Sequence, residues 1–268
     1  MHKFLLLLIA LFAATPIHAG DIYYYFEDNN DPTMPTNSNQ GEYSIRYVGE
    51  THQSTEQFKF GKGSMVIDEK KGPAGNPIGG FASLPSEFID EIHKMTITTW
   101  IRPSTSGDFW IIQRMPNGAP GYFSLNYSVV YKCFFFGYTG NDSTQGLGAR
   151  SNKINFIEPD EWVHIALTYD AGKIVFYVNG ISAGEGDVTA QGSSSIPAVS
   201  GSSTLSGFTA LTPGSYVDDF GFFPDRALSE ADMDVIFNKG LESFVKASAP
   251  KTTPAPSASP AASPAPKK

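Results

Sequence analysis

Carboxylates are the side chains here with most chemistry to offer. They cluster at Glu27-Asp28-Asn29-Asn30-Asp31, Glu87-Phe88-Ile89-Asp90-Glu91, Glu158-Pro159-Asp160-Glu161 and Asp218-Asp219. Glycoside hydrolysis needs two carboxyl groups facing one cleft, about 5–10 Å apart. Glu87 and Asp90 are three residues apart, so a strand would send them to opposite faces. Pro159, with a strand following, puts the third cluster in a loop. Both therefore read as surface or turn acids, and the chain is expected not to be an enzyme. Of the histidines, His52, His93 and His164 have no companion at zinc-ligand spacing. Gly61-Lys62-Gly63-Ser64 looks like a phosphate cradle, but no helix signal follows it. Cys133, the single cysteine, sits in Tyr131-Lys132-Cys133-Phe134-Phe135-Phe136. That apolar setting predicts a buried, inert thiol, and one cysteine excludes an internal disulfide.

The elements that must position these groups are mostly strands. Aromatics make up 13% of the chain and Gly and Pro are frequent, which suits short strands linked by turns. Expected strands are 22–26, 64–67, 95–101, 110–114, 121–127, 132–138, 162–169, 173–179 and 217–223. Residues 182–213 read mainly as loop, with a short strand near 204–206. Val163, Ile165 and Leu167 alternate against Trp162, His164 and Ala166. Asp170-Ala171-Gly172 supplies a tight turn, and Asn179-Gly180 tolerates positive φ at the end of the next strand. One short helix is signalled near the C-terminus. Ser229 caps it, Asp232 completes a capping box, Leu228 and Met233 have staple spacing, and Gly240 stops it.

The 268 residues suffice for one large β domain plus tails. Lys3, the apolar run from Phe4 to Ala14 and Ile17-His18-Ala19 make residues 1–19 a secretory signal. That run is too short to span a membrane, so no transmembrane segment is expected after cleavage. Residues 20–245 form the domain. Residues 246–268 form a Pro/Ala/Ser/Lys-rich tail that cannot bury a core. With five of the 19 basic residues outside the domain, it carries 14 basic and 27 acidic groups, a net −13. That balance argues against nucleic acid.

Three blocks carry a family resemblance: Met95 to Pro103 (MTITTWIRP), Asp160 to Gly180 (DEWVHIALTYDAGKIVFYVNG) and Val217 to Phe237 (VDDFGFFPDRALSEADMDVIF). Together they resemble the laminin-G-like, concanavalin A-like lectin/glucanase family of bacterial secreted type. The resemblance implies an all-β fold: a two-sheet antiparallel sandwich, or jelly roll, with both ends of the domain close together. It also implies a structural calcium between the first and last strands. The matching positions are Glu27, Asp28, Asp218 and Asp219, with a backbone carbonyl near Gly63. Calcium takes 6–8 hard oxygen ligands, which such a set offers. The alternative is that Glu27–Asp31 is a solvated turn and Asp218 pairs with Arg226.

Trp110, Tyr122, Phe123, Tyr127, Tyr131, Phe135 and Tyr138 fill the segment least like the family. Sugar rings pack C–H faces on aromatic faces. Most of these rings are expected in the core. Trp110, Tyr122 and Tyr127, with Asn141 and Asp142 from a neighbouring loop, are the candidates for a ligand platform. The resulting expectation is an exported, non-catalytic module, secreted, periplasmic or on the cell surface, that recognises a glycan or glycosylated surface. An aromatic, exposed groove would favour that reading. A flat apolar patch would favour a protein-binding, adhesion or envelope-structural role with another envelope protein. A hydrolase of laminarinase-like architecture, which the fold also hosts, would need the missing carboxyl pair.

Overall fold

The computed structural model describes residues 21–27, 46–48, 51–68, 70–71, 77–78, 81–84, 91–114, 121–140, 146–154, 157–189, 194–197, 205–207 and 213–248. The signal expected at 1–19 and most of the tail lie outside them, as do Asp28, Glu87, Asp90, Asn141 and Asp142.

Two antiparallel sheets face each other. One runs, in spatial order, β15 (Ile181–Asp187), β14 (Lys173–Val178), β13 (Val163–Asp170), β8 (Lys94–Arg102), β17 (Tyr216–Pro224), β4 (Ser64–Ile67) and β3 (Thr51–Ser54). Its eighth strand, β1 (Ile22–Tyr24), also pairs with β17. The other runs β12 (Gly146–Arg150), β11 (Cys133–Thr139), β10 (Phe123–Ser128), β9 (Phe109–Arg114), β16 (Leu205–Gly207), β7 (Phe81–Leu84) and β2 (Arg46–Val48). β5 (Lys70–Lys71) and β6 (Pro77–Ile78) form a separate pair, and α1 (Glu230–Lys239) and α2 (Leu241–Ser248) follow the last strand. This is the expected sandwich, and each expected strand appears within two residues of its expected ends.

The core forms where the inner faces meet. Phe123 of β10 stacks on Phe222 of β17 at 6.3 Å, and Tyr138 of β11 meets Tyr169 of β13 edge-on at 5.6 Å. Val163, Ile165 and Leu167 all enter this core, as their alternation predicts. His164 and Ala166 face the opposite way yet are also buried, because the two helices cover that side. Both hairpin turns are the two-residue kind that needs positive φ. Ala171 and Gly172 have φ of 47° and 94°, and Asn179 and Gly180 have 50° and 77°. At 180 only glycine serves, since a Cβ there would press on the Phe237 ring of α1.

α1 forms as its signals predict. Ser229 Oγ accepts from the Asp232 N–H, and the Asp232 carboxylate accepts from the Ser229 N–H. The expectation of a single helix is corrected, because Gly240 stops α1 and the chain immediately begins α2. Leu241, Phe244 and Val245 recur at i, i+3 and i+4, and all are buried against the outer face of the eight-stranded sheet. Burial of each contributes at most about 2–3 kcal/mol. The helix runs on to Ser248, which is buried. Residues 182–213 are not mainly loop at their start, because the Asn179-Gly180 turn returns the chain along β14 as β15. As an edge strand β15 leaves most residues in solvent, so it lacks the apolar alternation that marks interior strands. β12 escapes notice for the same reason.

Candidate functional site

The first candidate region is the corner where β17 passes Phe26. Asp218 and Asp219 are both buried there. The register of β17 against β8 shifts between Asp218 and Gly221, and Asp219 takes φ of 46°. Phe26, just past β1, takes φ of 52°. Two non-glycine residues in the left-handed region store strain of order 1–3 kcal/mol each. Asp218 Oδ2 accepts from the Lys59 N–H at 2.7 Å and the Phe60 N–H at 3.0 Å, and Oδ1 from the Asp219 N–H at 2.8 Å. Asp219 Oδ2 accepts from the Leu241 N–H at 2.8 Å, at the start of α2. These bonds tie β17, the 59–60 turn and α2 together. Arg226 pairs with buried Asp21 at 3.5 Å and not with Asp218.

Burial pushes the Asp218 carboxyl well above the usual carboxylate range, and the neighbouring Asp219 charge pushes it further. Burial also pushes Asp219 up to about 7, against the Leu241 N–H, with Glu27 and Glu242 adding repulsion. The donor chemistry of this corner suits calcium: carboxylates of Glu27 and Asp219, and Gln53 Oε1, which is buried and has no hydrogen-bond partner among the described residues. Gln53 Nε2 donates to the Phe26 carbonyl at 2.7 Å. A Cβ at Gly61 would overlap the Glu27 carboxylate, and one at Gly63 would overlap the Phe26 carbonyl. Glycine at both positions therefore leaves room around these oxygens. Asp218 fits less well, because three N–H groups already occupy three of its roughly four lone-pair sites. Among the described residues, no three acidic, histidine or cysteine side chains converge as a metal group.

The second region is the outer face of the seven-stranded sheet. Cross-strand pairing aligns Trp110 of β9, Asn126 of β10, Phe135 of β11 and Arg150 of β12 in one row. Partners directly opposite share a face. Their neighbours Phe109, Tyr127, Phe134 and Ala149 point into the sandwich or pack against its core. The next row, Gln113, Ser124, Gly137 and Gly148, also faces outward. Tyr122 continues the outward series, held by its carbonyl, which accepts from the Thr139 N–H at 2.9 Å. Ser124, Asn126, Phe135, Gly137, Gly148 and Arg150 line a shallow groove of about 480 Å³. A Cβ at Gly137 would meet nothing closer than 3.7 Å, so glycine there keeps the floor low.

Trp110 and Tyr122 both face outward and are half-buried. Tyr127 does not face outward. It is 3% exposed and stacks on Phe109 at 5.2 Å inside the core, because the alternation of β10 turns it inward. Phe123 and Tyr138 are core for the same reason. Asn126 and Arg150 are groove residues that the sequence does not single out, and Phe135 is named there only among the rings of its segment, since the row crosses four strands and β9 carries a bulge beside Trp110. Elsewhere, His164 is fully buried with Nε2 at 2.8 Å from Thr98 Oγ1, and burial pushes it down to about 3, a neutral structural imidazole. Cys133 is buried, and burial pushes its thiol up. Asp160 sits at φ of 63° in a turn, paired with Arg102 at 3.2 Å.

The sequence profile of the concanavalin A-like lectin/glucanases superfamily matches residues 76–233. No curated protein matches in sequence. Solved structures with this fold include the binding domain of Paraclostridial Mosquitocidal Protein 1, with a TM-score of 0.59 at 11% identity over 82% of this chain. The botulinum neurotoxin serotype G binding domain follows at 0.56 and 13% over 81%. The chain spans about half of each, 52% and 50%. Domain 4 of AbnA, a GH43 extracellular arabinanase from Geobacillus stearothermophilus in complex with arabinotriose, gives 0.56 at 15% identity over 81% of this chain and 97% of that one. With its profile covering more than half of the residues and its two antiparallel sheets in the expected arrangement, the chain belongs to the concanavalin A-like lectin/glucanases superfamily.

Proposed function

We propose that the protein is an exported, non-catalytic recognition module that binds carbohydrate on the outer face of its seven-stranded sheet. The observation that carries this is the row Trp110–Asn126–Phe135–Arg150 over a floor kept low by Gly137. Aromatic faces accept sugar C–H faces, and Asn126, Ser124 and Gln113 supply amide and hydroxyl partners for sugar hydroxyls. The groove's described lining holds no carboxyl pair, and glycoside hydrolysis rests on one. The AbnA domain in complex with arabinotriose shares the fold over nearly its whole length, which supports a carbohydrate ligand. The secretory signal expected at residues 1–19 supports a secreted, periplasmic or cell-surface location. Glycan-array binding of the full chain tests the reading: a defined sugar binds, and Trp110→Ala weakens binding about tenfold without a change in thermal midpoint. A folded chain that binds no glycan would transfer the reading to protein binding or adhesion.

Calcium is part of the same proposal as a structural aid. Glu27 and Asp219 would hold it, and its charge would offset the desolvation of Asp218 and Asp219 and the repulsion they feel from neighbouring carboxylates. At pH 7.5 the thermal midpoint then rises by several degrees with calcium over chelator, and an unchanged midpoint removes the ion from the account.

A further inference from the structure

We propose that the cleft at the tip of the β10–β11 hairpin binds the anionic group of a sugar, so that the ligand is a carboxylate- or sulfate-bearing saccharide. This rests on the carbohydrate reading above and names its ligand class. The cleft, of about 330 Å³, is lined by Val130, Tyr131, Cys133, Arg150, Ser151, Asn152 and Lys153. This described lining holds two cations and no acid. In a domain of net −13, that is a local reversal of sign. Among the described residues neither Arg150 nor Lys153 has an ion-pair partner. The guanidinium of Arg150 is the fork that matches a carboxylate or sulfate.

The backbone that carries the two cations is placed in advance. Ser151 Oγ accepts from the Phe134 N–H at 3.0 Å and donates to the Asn152 carbonyl at 2.8 Å. The Asn152 N–H donates to the Ala183 carbonyl at 2.8 Å, and the Ile154 N–H to the Lys132 carbonyl at 2.7 Å. The backbone carrying Arg150 and Lys153 is thereby pinned to β15 on one side and to the base of the hairpin on the other. Arg150 also ends the row that begins at Trp110, so groove and cleft are continuous. Tyr131 spans the junction. It is 58% exposed and meets Phe135 edge-on at 5.7 Å. A sugar stacked on Phe135 or Tyr131 would carry its acidic substituent to Arg150.

The test measures binding of the full chain to oligogalacturonate and dextran sulfate, against neutral arabinan and dextran, with polyglutamate as a non-sugar polyanion. Wild type, Arg150→Gln and Lys153→Gln are compared after matching their thermal midpoints. The expected result is preference for an acidic sugar over both neutral polymers and polyglutamate, with about a tenfold or greater loss in Arg150→Gln. Binding should also weaken with added salt. Equal binding of neutral sugars, equal binding of polyglutamate, or affinity unchanged in both variants would overturn the inference while the carbohydrate reading stands. Binding to no sugar at all would overturn both.

Discussion

Replacing Asp219 by asparagine should stabilise the calcium-free protein at neutral pH, although it removes a carboxylate bonded to a helix N-terminus. The amide would still offer its oxygen to the Leu241 N–H while carrying no charge. The native carboxyl titrates near 7 in the fold and near its ordinary 3.8 when unfolded. A folded pKa above the unfolded one means that the native state holds more protons between those values, so stability falls as pH rises through that window. The displacement of roughly three units corresponds to about 4 kcal/mol by pH 7.5, of which about 2.5 kcal/mol is lost between pH 5 and 7.5. For a domain of this size the second figure is about 5–10 °C of thermal midpoint. The assay is thermal unfolding by circular dichroism in chelator, from pH 4 to 8. The difference between Asp219→Asn and wild type should be small at pH 4 and widen toward pH 7.5 in favour of the variant. A variant less stable than wild type at pH 7.5, with the same pH slope, would refute the claim that the buried charge costs the fold anything.

Four other substitutions bear on the same structure. Gly63→Ala should cost about 1–3 kcal/mol in denaturant unfolding, since its Cβ would overlap the Phe26 carbonyl, whereas Gly107→Ala, which meets nothing within 4 Å, should change stability by less than about 0.5 kcal/mol. Arg114, 1% exposed, donates Nε to the Gly121 carbonyl at 2.7 Å and a guanidinium N–H to the Pro197 carbonyl at 2.5 Å. Arg114→Ala should therefore cost about 3 kcal/mol, read by the same unfolding curves. Ser229→Ala removes the cap of α1 and should lower stability by about 1 kcal/mol in the same assay.

What was legible in the sequence was whatever repeats with a local period. The β13–β14 hairpin declares itself through Val163, Ile165 and Leu167 and through two turns whose residues tolerate positive φ. α1 declares itself through Ser229 and Asp232. α2 carries an equally local signal in Leu241, Phe244 and Val245, which Gly240 masks by ending the preceding helix. The edge strands β12 and β15 have, among the described residues, no further strand paired beyond them and leave many side chains in solvent, so their composition is that of loops. The groove was only half legible. Alternation through Phe134-Phe135-Phe136 requires one ring to face outward, but which one depends on register with β10. The same uncertainty made Tyr127 look like a binding residue when its side chain belongs to the core. Asp218 and Asp219 were legible as a pair. Their partners, the Lys59, Phe60 and Leu241 N–H groups, come from chain positions that no spacing rule connects.

The most direct test of the central claim is calorimetric titration of the strongest array ligand into wild type and into a Trp110→Ala/Phe135→Ala variant, with folding of both confirmed by circular dichroism. Both residues point outward, so the variant should keep its fold and lose measurable binding. Undiminished binding by the folded variant would place recognition elsewhere and contradict the account.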